Sequence, residues 1–83
     1  MSVIEKITLF EHFTKNHKFV TPLYVVKYKS GAVTAVYDFA SLPKQAKKII
    51  KTWYYSTGYN RKCTALNGTF KDLHITEYER EKP

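Results

Sequence analysis

Between Ser41 and Gly58 the chain reads SLPKQAKKIIKTWYYSTG, and no other stretch limits the fold as much. Leu42, Ala46, Ile49, Ile50 and Trp53 recur at i, i+4, i+7, i+8 and i+11. At about 100° per residue they fall on one arc of an α-helix, opposite Lys44, Lys47, Lys48, Lys51 and Tyr55. A helix of this kind holds only where its apolar arc is covered by the rest of the molecule. Ser41 fits the N-cap, Pro43 the first turn, where its missing N–H costs nothing, and Gly58 the C-terminal stop.

The flanking segments supply the candidates for that cover. MSVIEKITLFEHF predicts a first helix: Ser2 and Glu5 form a capping box, Val3, Ile7 and Phe10 recur at helical spacing, and Ile4, Leu9 and Phe13 widen the stripe. Asn16 would close it. An extended alternative stays open for KITLF, where Ile7 and Leu9 also alternate. In TPLYVVKYKSGAVTAVYDF, Pro22 argues against helix, and the β-branched and aromatic residues predict a hairpin turned at Ser30-Gly31. That register faces Tyr28 with Val33, Val26 with Ala35 and Tyr24 with Tyr37, giving a core side of Tyr24, Val26, Tyr28, Val33, Ala35 and Tyr37. Leu23, Val25 and Val36 on the other side would be covered by the first helix or by a second copy in a homodimer. The last segment predicts a second hairpin turned at Asn67-Gly68, with a bulge near Lys71-Asp72 to bring Phe70, Leu73 and Ile75 to one side. The expected fold is a small single α+β domain over residues 1–83, in the order α-β-β-α-β-β. Its antiparallel sheet packs against helices, and its tail frays over 79–83.

Eighty-three residues allow only a modest core, and seven Tyr, five Phe and one Trp suit it, because each aromatic ring buries a large area. Cys63 is the single cysteine, which excludes an internal disulfide and makes a zinc site implausible. The longest apolar run is LYVV, Leu23 to Val26, too short to span a bilayer. With no stretch of signal-peptide type near the start, the expectation is a cytoplasmic protein with no membrane partner.

Charge carries the functional signal. Of the net +7, residues 39–71 account for the whole imbalance: Lys44, Lys47, Lys48, Lys51, Arg61, Lys62 and Lys71 stand there without an acid. Residues 72–83 are net acidic, with Asp72, Glu77, Glu79 and Glu81. Lys44 and Lys47 lie near the positive end of the helix dipole, and Lys44–Lys48 and Lys47–Lys51 are like-charge i,i+4 pairs. Local stability therefore does not account for the lysine face, and an external polyanion would.

The reading that follows is a small basic nucleic-acid-binding protein, for DNA or RNA, that contacts phosphate backbones with little sequence specificity. Its site residues are Lys44, Lys47, Lys48, Lys51, Arg61, Lys62 and Lys71, with Tyr55 and Tyr59 as rings on which bases could stack. The alternative is a small regulatory or inhibitory protein, of the phage- or host-regulator type such as an anti-defence inhibitor. It would dock its basic surface on an acidic patch of a protein or ribonucleoprotein. A face of Tyr24, Tyr28 and Tyr37 could serve as an RNA stacking platform, although burial suits it better. Catalysis finds little support. His12 and His17 do not share a helix face, and a metal-independent nuclease built on His74, Arg61 and Glu77 is selected by no spacing. No catalytic residue, metal site or cofactor is expected.

Overall fold

Eleven residues, Ile4–Thr14, form a strand (β1), and the architecture follows from its central place. The computed structural model describes residues 3–14, 22–53, 58–69 and 71–81. After β1 come β2 (Leu23–Tyr28), β3 (Val33–Val36), a 3-10 turn at Phe39–Ser41, α1 (Lys44–Thr52), β4 (Tyr59–Asn67) and β5 (Lys71–Arg80). The five strands form one sheet in the order β3-β2-β1-β5-β4, every neighbour antiparallel. Two hairpins thus flank β1. The chain between them must cross from one edge of the sheet to the other, and it carries α1 over one face on the way.

The expected order α-β-β-α-β-β is overturned at its first element: the described chain is mostly antiparallel sheet with one α-helix. A β-bulge explains the helical look of this segment. Ile4 lies opposite Tyr28 and Lys6 opposite Lys27, so β1 carries an extra residue between them. The bulge puts Ile4 and Ile7 on the same face three residues apart, and both are wholly buried. An i,i+3 spacing therefore arises without a helix. Beyond it β1 alternates regularly; it is paired with both β2 and β5 from Lys6 to Phe10, and with β5 alone from Glu11 to Thr14. The Ser2 and Asn16 caps lie outside the described residues.

The first hairpin slips by one residue. Its loop is Lys29–Gly31, with Gly31 at φ +95°, closed by Gly31 N–H to Tyr28 O at 2.9 Å and Tyr28 N–H to Ala32 O at 2.9 Å. Tyr24 consequently faces Val36, not Tyr37, and Val26 faces Thr34. A one-residue slip turns every side chain of a strand over. Tyr24, Val26 and Tyr28 keep their expected side, whereas Val33 and Ala35 point away from α1, and Tyr37, 68% exposed, lies beyond the strand. Leu23 and Val25 sit on the helix-free side, partly buried. The first helix expected to cover them is not there.

The second hairpin turns two residues later than expected. Asn67 faces Asp72, the register runs unbroken from Tyr59 to Arg80, and the expected bulge is unnecessary. Gly68 donates to Lys71 O at 3.1 Å, and a Cβ there would stand 2.6 Å from that oxygen, so the position requires glycine. Phe70 lies outside the described residues. Glu79 and Arg80, expected to fray, end β5, and Glu81 N–H donates to Gly58 O at 2.8 Å.

The core lies between α1 and the sheet. Leu42, Ala46 and Ile49 meet Ile4, Ile7, Val26, Tyr59 and Tyr78, with Tyr24, Tyr28, Val36, Phe39, Ile50 and Trp53 packed around them. The apolar arc of the helix is as expected, but its start is not. Ser41 belongs to the 3-10 turn and donates its N–H to Asp38 Oδ1 at 2.8 Å, while Pro43 precedes α1 without a side-chain cap. Hydrogen bonds from Ser41, side chain first and backbone next, hold the Asp38 carboxyl below its ordinary value.

Candidate nucleic-acid interface

The helix lysines emerge together because burying Ala46 and Ile49 forces the intervening positions outward. Lys44, Lys48 and Lys51 are exposed and Lys47 is partly buried. Among the described residues none of the four has a carboxylate within ion-pair distance. Asp38 is the acid whose charge reaches this group, through Lys47. The Lys51 ammonium stands 5.6 Å from the centroid of the Phe39 ring.

Arg61 joins this face from the sheet. It lies opposite Tyr78 on β5, whose ring is in the core, so Arg61 points to the helix side. Its guanidinium rests 5.0 Å from the centroid of Trp53, at the C-terminal end of α1. Lys62, the next residue, points to the helix-free side, opposite Glu77. Lys71 shares that side, as alternation along β5 requires. Lys44, Lys47, Lys48 and Lys51 thus share α1, Arg61 reaches the C-terminal end of that helix through Trp53, and Lys62 and Lys71 lie on the opposite side of the sheet. Tyr55 lies outside the described residues. Tyr59 is a core residue, 7% exposed, whose hydroxyl donates to Ile4 O at 2.6 Å, so its ring is not available for stacking. Tyr24 and Tyr28 are likewise packed under α1, which rules their face out as an open platform.

The nuclease constellation does not converge. His74 and Arg61 are on the helix side, whereas Glu77 is on the other, bound to Lys6 Nζ at 2.6 Å. His12 lies opposite Leu73, also on the helix-free side, and His17 is outside the described residues. Among the described residues no three of His, Cys, Asp and Glu come together as metal ligands, and no helix is long and apolar enough to cross a membrane.

One feature of the site escaped sequence reasoning. Beside α1, on the same face of the sheet, Glu11, Arg61, Cys63, His74 and Thr76 line a hollow of about 250 Å³. Glu11 and His74 are direct cross-strand neighbours, and the His74 ring lies 4.9 Å from that of Phe13 at 50°. Cys63 Sγ and Thr76 Oγ1 are paired at 3.8 Å. Glu11 is partly buried and has no hydrogen-bond or ion-pair partner among the described residues. Its charge is felt across β1: burial first, then Glu11, hold the Tyr24 phenol above its ordinary value. With β1 read as a strand, the alternation Ile7, Leu9, Glu11, Phe13 would have exposed a carboxylate on the core-facing side. No family model matches the chain, and neither a curated protein nor a solved structure does.

Proposed function

We propose that this protein binds the phosphate backbone of a nucleic acid through the exposed face of α1, with Arg61 extending the contact onto the sheet. The observation that carries this reading is the convergence of Lys44, Lys47, Lys48, Lys51 and Arg61 on one side of the molecule without a neutralising carboxylate among the described residues. Like charges at helical spacing oppose folding slightly, and a polyanion turns that opposition into affinity by releasing its counterions. Phosphate contacts of this kind position a protein without reading sequence. About four contacts to a duplex give a slope near −4 in log affinity against log salt. Lys62 and Lys71 face away and do not contribute to this surface.

The test is the triple variant Lys47→Glu, Lys48→Glu, Lys51→Glu, titrated against labelled oligonucleotides by fluorescence anisotropy. The expected result is an affinity at least about a hundredfold lower at moderate salt, with an unchanged thermal midpoint. Binding that survives the reversal removes α1 from the interface.

A further inference from the structure

The hollow is lined by side chains of opposite charge, Arg61 and Glu11. Arg61, held against Trp53 at 5.0 Å, offers a fork of N–H donors suited to phosphate. Glu11 offers only acceptors, so a ligand that pairs with it must bring N–H or O–H donors. Cys63 and Thr76 satisfy each other at 3.8 Å, whereas Glu11 has no such partner among the described residues. A bare phosphate chain would meet Arg61 and be repelled by Glu11. A nucleotide suits both groups, with its phosphate at Arg61 and the polar edge of its base at Glu11.

Size and access narrow the ligand further. The volume of about 250 Å³ falls just below the range of small-molecule sites, about 300–1,000 Å³. That is room for a base ring. A base inside a duplex cannot present its pairing edge to such a hollow, whereas an unpaired one can be splayed out and read on that edge. Guanine carries two N–H donors side by side there, matching the two oxygens of a carboxylate, and uracil carries one. We infer that the hollow is a subsite for a single unpaired guanine, in a single strand whose backbone runs along α1. The inference rests on the backbone-binding reading above and adds the strandedness and the base.

Three labelled probes test it by anisotropy: a uridine strand of about ten nucleotides, the same strand with one central guanine, and a duplex of that length. The guanine strand should bind about tenfold more tightly than the uridine strand, the size of one bidentate base contact, and more tightly than the duplex. Glu11→Gln keeps the shape and removes one acceptor and the charge. It should abolish the guanine preference and leave the uridine strand bound as before or slightly more tightly, because a repelling charge is gone. In the unaltered protein, guanosine monophosphate should shift the amide resonances of Cys63, His74 and Thr76. Equal affinity for the two strands, a preference that survives Glu11→Gln, or shifts confined to α1 would overturn the subsite and leave backbone binding standing. Failure of all three probes to bind would overturn both.

Discussion

At one end of the helix-facing side of the sheet, Ile4, Ile7, Val26 and Tyr78 lie under α1 and are almost wholly withdrawn from water. At the other end the same face presents Glu11, His74 and Cys63 around an open hollow. The difference follows from length. Nine residues of α-helix extend about 13 Å, whereas the eleven residues of β1 extend about 36 Å. A helix so short covers part of a strand so long, and the molecule is correspondingly elongated, 41 × 24 × 22 Å. One set of strands thus does two jobs. Where α1 covers them, the inward positions are apolar and hold the fold; beyond its reach the same side carries Glu11, His74 and Cys63.

The largest test of that division is a pair of substitutions, one at each end. Ile7→Ala empties a fully buried site under α1 and should cost about 3 kcal/mol in urea unfolding. That is a large share of what a small domain possesses. Cys63→Ser, at an exposed position of β4, should change stability by no more than about 0.5 kcal/mol. Similar costs at both ends would mean that the far end of the sheet is as much a core as the near one.

The covered end was partly legible in the sequence and the open end was not, for a physical reason. The arc from Leu42 to Trp53 has a single period and no competing reading, so the core-facing side of α1 was readable directly. The bulge in β1 breaks the period of two where Ile4 and Ile7 are buried, and a period-based reading turned that break into a helix. Glu11 went with it, because on a helix its position says nothing about His74, whereas on paired strands the two are neighbours. The hairpin at Ser30-Gly31 shows how little separates a right register from a wrong one. A three-residue loop in place of a two-residue one moved Val33 and Ala35 from the core to the surface. The outward placement of Lys44, Lys48 and Lys51 was readable because it depends on α1 alone. The expectation for Lys62 and Lys71 depended on strand pairing, which composition does not encode.

A smaller effect probes how the covered end is sealed. The Tyr59 hydroxyl donates to Ile4 O at 2.6 Å, a buried bond that ties edge strand β4 to the start of β1, 55 residues away in the chain. Tyr59→Phe keeps the ring in the core and removes the donor, and should cost about 1.5 kcal/mol by the same unfolding assay. It should also leave nucleic-acid affinity unchanged, since the ring never reaches the lysine face. An affinity loss without a stability loss would place Tyr59 in the interface after all.

The smallest expected effect belongs to the helix-free side, where Lys6 and Glu77 are bound at 2.6 Å with about a third of each side chain exposed. The hydrogen bond to Glu77 is the main reason the Lys6 ammonium titrates above its ordinary value of 10.5; partial burial opposes it, and the charges of Glu77 and Glu79 add to it. A raised folded-state value means that the contribution is fully present below pH 10.5 and is lost as pH climbs through that folded value. Lys6→Met should therefore cost about 0.5 kcal/mol at neutral pH, where solvent screens the pair. The gap between the two proteins should close in alkaline solution, as followed by urea unfolding along a pH series. Lys62 keeps the cost low, because it lies directly opposite Glu77 and offers a substitute partner once Lys6 is gone. Removing both lysines should thus cost more than the sum of the single changes. Strict additivity would show that Lys62 does not move in, and would return it to the pool of cations available to an outside anion.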